Sequence, residues 1–504
     1  MNPRHRYLLG LTVAAAVTLL ALEASARPGG GGGYSGGSSG GGYSGGGSSG
    51  GGDGAGMILY WLIRLVFAYP VVGVPLLIGF VLFLFWRNHN ETTLQHDSFL
   101  GGEAHPGPVP QQKRAASLRK LRDRDPLFSA VLFEDFVYAL YAQVHGARGD
   151  ARKLATLAPY INEAARATLL KRGPAGVPID GVVIGAMRVC NVQLGKEPGA
   201  KNVVELEFEA NFTAHLPDGP VGHYVRERWQ LERDAQVQTR AAESVQEFRC
   251  PNCGAAFTSS GDDRCSFCHQ QVGEGRFDWS VKHVRLMEQE QRPPALTADH
   301  AEKGTDSPTI SDPNIQAQHA ALIAEDPSAA PERIEQRLRA IYRELNAAWS
   351  ARDLRPARPF VSDALFNYLG YWITAYKQQG LRNVLEQMEI SRVAIVKLRR
   401  DRHYDAITVR LWASGLDYTV RDADGKRVSG SARSKRAYSE YWTLIRGAAV
   451  RGAPKASDAN CPGCGAPLDK VSMAGNCEYC GAHLTRGEFD WVLSKIEQDD
   501  SYTG

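Results

Sequence analysis

The chain has 504 residues, with 58 Lys+Arg against 55 Asp+Glu and a formal charge of +3. At roughly 100 to 200 residues per domain, that length excludes a single compact domain and allows two to four. The near balance of charge excludes the broad basic field that nonspecific nucleic-acid binding leaves in a composition.

Residues 1–26 carry Arg4, His5 and Arg6, an apolar run from Leu8 to Leu22, and then Ala24-Ser25-Ala26. This is the pattern of a secretory signal peptide with a small-residue cleavage site. Residues 27–56 are mostly Gly and Ser and read as a flexible tract with little to bury. No charge interrupts Leu65 to Trp86, a stretch that as a helix spans about 33 Å, enough to cross a bilayer core. A single transmembrane helix is therefore expected within residues 57–86. Lys113, Arg114, Arg119, Lys120, Arg122 and Arg124 follow it, which places the downstream domains in the cytosol. Residues 87–125, with Pro106, Pro108 and Pro110, read as a linker.

The rest of the chain is duplicated at a separation of roughly 200 residues. Each copy starts with apolar residues at helical spacing after a proline: Phe128, Leu132, Phe136 and Leu140 after Pro126, then Ile334, Leu338, Ile341, Leu345 and Trp349 after Pro331. Next comes Pro159-Tyr160-Ile161-Asn162-Glu163-Ala164, echoed by Pro359-Phe360-Val361-Ser362-Asp363-Ala364, where Asn162 and Ser362 suit helix N-caps. β-rich runs follow at Val182 to Val189 and Val203 to Thr213, and again at Ile390 to Leu398 and Ala406 to Leu411. Glu227-x-Trp229-x-Leu231-x-Arg233 returns as Glu440-x-Trp442-x-Leu444-x-Arg446, and period-two spacing puts those four residues on one strand face.

Eight of the nine cysteines fall in Cys-x-x-Cys pairs, and Cys190 stands apart. Cys250, Cys253, Cys265 and Cys268 form one set; Cys461, Cys464, Cys477 and Cys480 form the other. Paired knuckles at this spacing bring four thiolates to tetrahedral positions about 2.3 Å from one zinc. With all four positions filled by protein, two structural ions are expected, and no catalytic one. Zinc is preferred to a rubredoxin-like iron because nothing suggests an electron-transfer partner. His269 and His483, beside the modules, read as surface residues. Each module is followed by an aromatic cluster, Gly275-Arg276-Phe277-Asp278-Trp279 or Gly487-Glu488-Phe489-Asp490-Trp491, that is expected to dock it on its own copy. The expected domains are 126–290 with a ribbon at 250–268, a linker at 291–330, and 331–497 with a ribbon at 461–480.

From about Pro331 to Arg446 the second copy resembles the domain of the mitochondrial import-motor tether, subunit forty-four of the inner-membrane translocase. The residues that carry this are Ala348-Trp349-x-x-x-Asp353-Leu354, Gly380-Leu381-Arg382-Asn383, Tyr404-Asp405-x-Ile407-Thr408-Val409-Arg410 and Tyr438-Ser439-Glu440-Tyr441-Trp442. The resemblance implies an α+β fold of two tandem cones, similar to nuclear-transport-factor-two-like and cystatin-like domains, each enclosing an apolar pocket and each carrying a zinc ribbon here. It also implies a membrane-proximal scaffold. A Gly-rich tract, one membrane helix and this domain look like bacterial relatives, so the expected location is the bacterial inner (cytoplasmic) membrane, single-pass.

The function expected is a non-enzymatic scaffold or tether that binds protein or peptide partners near the membrane, with lipid as a further candidate. An enzyme on a cone fold needs an acid/base pair in its pocket. Glu227 with Arg233 and Glu440 with Arg446 are the candidates, and a structural ion pair is the preferred reading of each. Arg249 and Arg264 flank the first ribbon without a Lys/Arg stripe, which weighs against nucleic acid as a partner.

Overall fold

Two units, each with its helices before its strands, follow one another in the computed structural model. It describes residues 118–504 except 173–175, 198, 241–247, 259–262, 292–295, 297–303, 453–459, 462, 469–470, 473–474, 500 and 503. The first contains α1 (Ala130–Ala147), α2 (Ala151–Thr156), α3 (Glu163–Leu170), β1 (Ile179–Gln193), β2 (Lys201–Leu216), β3 (Gly219–Asp234) and β4 (Ser280–Gln291). The second contains α4 (Ile315–Glu325), α5 (Pro331–Ala351), α6 (Asp363–Gln378), β5 (Leu381–Arg400), β6 (Tyr404–Arg421), β7 (Arg427–Gly447) and β8 (Val492–Gln498). The strands form two antiparallel sheets, ordered β1-β2-β3-β4 and β5-β6-β7-β8. The fold is mixed α+β, as expected.

Local chemistry sets the helix starts. Ser129 caps α1 by accepting from the Leu132 amide, so the helix begins four residues after Pro126 and leaves Phe128 buried ahead of it. α5 does begin at its proline, Pro331. Asn162 and Ser362 cap α3 and α6 through the Ala165 and Leu365 amides. Trp229 pairs with Leu206 in the first sheet and Trp442 with Val409 in the second, which fixes residue-by-residue equivalence of the two sheets.

The second sheet is buried on both faces. Ile407, Leu444 and Leu493 belong to the core of their own copy. Their chain neighbours Ala406, Ile445 and Val492 point the other way, into the core built on α1 of the first copy. Glu134 of α1 clamps this contact, accepting from Arg399 at 3.2 Å and from Lys495 at 2.9 Å. Farther along the same face, residues 304–312 cross the sheet as a strap. The buried Arg410 guanidinium donates to the carbonyls of Ser307 (2.8 Å), Gly304 (2.9 Å) and Thr305 (3.2 Å). Val396 O accepts from the Asp312 amide, and the Tyr441 hydroxyl accepts from the Ile310 amide.

The membrane placement is corrected. Among the described residues no helix is long and apolar enough to cross a membrane. The longest, α5, carries Glu332, Arg333, Glu335, Arg337, Arg339, Arg343 and Glu344, charges that lipid would not accept. The signal at 1–26, the Gly/Ser tract and the helix at 57–86 lie outside the described residues, so single-pass insertion in an inner membrane has no structural support.

Candidate metal centres

Each cysteine cluster sits in the connection between the third and fourth strands of its sheet. Within each set, the four sulfurs lie within 4.8 Å of one another. Cys250 and Cys268 are 3.8 Å apart and Cys253 and Cys265 3.9 Å; Cys461 and Cys480 are 3.7 Å apart and Cys464 and Cys477 3.8 Å. Four sulfurs bound tetrahedrally at 2.3 Å stand about 3.8 Å apart, so both clusters are positioned to hold a metal ion.

The backbone explains how so short a segment gathers four thiols. In every Cys-x-x-Cys loop the residue after the second cysteine has positive φ and donates its amide to the first cysteine's carbonyl: Gly254, His269, Gly465 and Gly481. His269 therefore occupies a glycine position of the turn. Neither it nor His483, whose ring lies 3.4 Å from the Thr485 hydroxyl, joins a sulfur cluster.

The aromatic cluster docks each module as expected. Phe277 packs with Cys250, Cys265 and Val272, and Phe489 with Cys461, Cys477 and Leu484. Two residues on, Trp279 and Trp491 are buried in the main cores. The leading glycines matter just as much. Gly275 and Gly487 have φ of 74° and accept from the Asp234 and Gly447 amides. A Cβ on Gly487 would lie 2.8 Å from Arg446 Cα, so only glycine permits this approach.

The acids and bases singled out by sequence are internal ties, and within each copy the acid and base are not each other's partners. Glu227, fully buried, accepts from Arg172 at 2.6 Å and from the Trp229 indole at 2.9 Å, and lies 3.1 Å from His145 Nε2. Burial opposes its charge, but His145, Arg172 and Trp229 outweigh it and hold the carboxyl below the ordinary range. Burial pushes the His145 imidazole down, against the pull of Glu227. A neutral ring that donates from Nε2 to Glu227 and accepts at Nδ1 from Arg148 (3.2 Å) fits these contacts. Glu440 accepts from Trp442 at 2.8 Å and from Gln498 at 3.0 Å. Arg233 binds Asp125 at 2.8 Å, and Arg446 binds Asp326 and Ser328. These carboxylates are closed to a substrate.

Sequence reasoning missed the ribbon tips. Phe267 is 65 % exposed and Tyr479 63 % exposed, far more than the other large hydrophobic side chains described. Both occupy the position just before the last cysteine of their ribbon, a coincidence visible in Cys265-Ser266-Phe267-Cys268 and Cys477-Glu478-Tyr479-Cys480.

Comparison with known proteins gives a family model described as Tim44-like domain, matching residues 316–456. The matched stretch runs from α4 through β7, where the second copy's resemblance lies. Among solved structures, one titled "Ntf2 like protein involved in plasmid conjugation" is 9 % identical, covering 72 % of this chain and 92 % of that chain at a TM-score of 0.17. No curated protein matches.

Proposed function

We propose that this chain is a non-enzymatic scaffold that binds protein partners through its two ribbon tips, each ribbon held by a structural zinc. The observation that carries this reading is the duplicated, uncovered aromatic: Phe267 and Tyr479 at the same knuckle position while their neighbours Ser266 and Glu478 differ. An exposed aromatic on a rigid support is an effective anchor for a partner's pocket. The Tim44-like match supports a tether or scaffold role.

Cys250, Cys253, Cys265 and Cys268 would hold one ion, and Cys461, Cys464, Cys477 and Cys480 the other. Four-thiolate ligation leaves no open position for water, so the zinc supplies folding energy to a segment with almost no core of its own. The same reading takes the two units as cone-like domains, each closed by a ribbon inserted before its last strand.

The test is cross-linking mass spectrometry in native cells, comparing wild type with a Phe267→Ala/Tyr479→Ala double variant of unchanged melting temperature. Cross-links from the ribbons to a defined partner that vanish in the variant are expected. Cross-links unchanged by the double substitution contradict the reading.

A further inference from the structure

A cleft of about 910 Å³ opens between the two copies. Its walls are α1 and β1 of the first copy, α6, the outer face of the second sheet, and the chain's last residues. That volume lies in the range of small-molecule sites. Partly uncovered apolar side chains converge on it, among them Val131, Val182, Ile184, Met187 and Val189.

One row of the second sheet faces this cleft: Lys397, Thr408, Thr443 and Lys495, in neighbouring strands. Thr408 and Thr443 hydrogen-bond to each other at 2.9 Å. Lys495 is committed to Glu134, as is Arg399, while Arg400 serves Glu325 and Asp405. Lys397 has no hydrogen bond or ion pair among the described residues. It is half-buried in the cleft, whose lining also includes Glu497.

We propose that this cleft binds an amphiphilic monoanion, a carboxylate on an unbranched aliphatic chain, with Lys397 as the partner of the carboxylate. The apolar side chains of β1 and α1 cover the alkyl chain, and the ammonium, held in no hydrogen bond or ion pair among the described residues, supplies the complementary charge. Burial pushes Lys397 down to about 8, Arg399 and Lys495 add to this, and Glu497 and Glu134 oppose it. It is thus still mostly charged at neutral pH. Asp135, on the α1 wall, is pushed up to about 7 by burial and by Asp363 and Glu134, so it repels an incoming anion only weakly. This site is separate from the ribbon tips and does not depend on the scaffold reading.

The experiment is calorimetric titration of the full chain with dodecanoate below its micellar concentration, with acetate and dodecanol as probes of head and tail alone. Dodecanoate is expected to bind one to one and acetate not at all. Lys397→Met keeps the side-chain stem and removes the charge, and should weaken dodecanoate binding about tenfold or more without lowering the melting temperature. Val189→Trp, which fills the cleft, should abolish binding in a protein that still melts cooperatively. Equal affinity of wild type and Lys397→Met, equal binding of dodecanol, or no binding by wild type overturns the proposal. Equal binding of dodecanol would instead mark an apolar groove for a partner's side chains.

Discussion

The two sheets share order and register, yet their outer faces are opposites. On the first, Arg188, Glu207, Glu209 and Arg228 form a ladder of ion pairs, with Arg188 to Glu209 at 2.5 Å and Arg228 to Glu207 at 2.7 Å. The register places Ala394, Arg410, Trp412 and Tyr441 at the same positions of the second sheet. There the face is covered by α1 of the first copy, the strap at 304–312 and Tyr502, whose ring stacks on Tyr441 with centroids 3.8 Å apart. Even the lone cysteine fits this contrast. Cys190 sits exposed in a bulge of β1, and its counterpart Val396 is buried and accepts the strap's Asp312 amide. A duplicated unit that stacks on itself needs one face to receive its neighbour and one polar face to end the stack. Equivalent backbones have been given these different tasks by side chains alone.

Six substitutions sharpen or break that comparison. The largest effect is expected inside, where the copies agree. Arg446→Ala strands the buried Asp326 carboxylate and should cost about 3–5 kcal/mol, as should Arg233→Ala with Asp125. Denaturant titration of both variants checks this, and a large loss in only one would show that the two cores are built differently. Next, Gly487→Ala brings a methyl against the β7 backbone at positive φ and should cost about 2 kcal/mol or more, read as a lowered melting temperature.

Tyr441→Arg gives the second sheet the residue of the first. It removes the stack with Tyr502 and the hydroxyl that accepts from Ile310, and should cost about 1–2 kcal/mol. Hydrogen exchange should rise at 304–312, while the reverse change Arg228→Tyr leaves exchange of the first sheet unaltered. The smallest effect concerns the junction itself. Asp135 faces Asp363 from α6, Glu134 on its own helix, Arg486 from the second ribbon connection and Lys495 of β8. Because its folded value of about 7 lies above the ordinary one, stability falls as pH rises from about 4 to 7. Asp135→Asn should therefore stabilise the protein at pH 8 by about 1 kcal/mol after solvent screening, and not at pH 4. A gain equal at both pH values would contradict this assignment.

Features written in contiguous residues were legible in the sequence. The cysteine spacing locates both clusters, and Glu-x-Trp-x-Leu-x-Arg marks the third strand of each sheet, because period-two burial leaves a local signature. The fourth strands left none: β4, which ends in Glu and Gln, is half exposed and has no alternating apolar pattern. α4 lacks a side-chain cap and a strong apolar stripe, so Ile315–Glu325 falls inside the linker that the sequence predicts. The partners of Arg233 and Arg446 lie more than a hundred residues away and follow no motif. The cleft is assembled from pieces of both copies, none informative alone.

The central claim is that two copies of one α+β unit each carry a four-cysteine metal centre. Elemental analysis of the purified full chain by mass spectrometry tests it most directly. The account predicts two zinc ions per chain, falling to one in Cys253→Ser and likewise in Cys464→Ser. A metal-free protein, or a single ion lost completely in either variant, would contradict it.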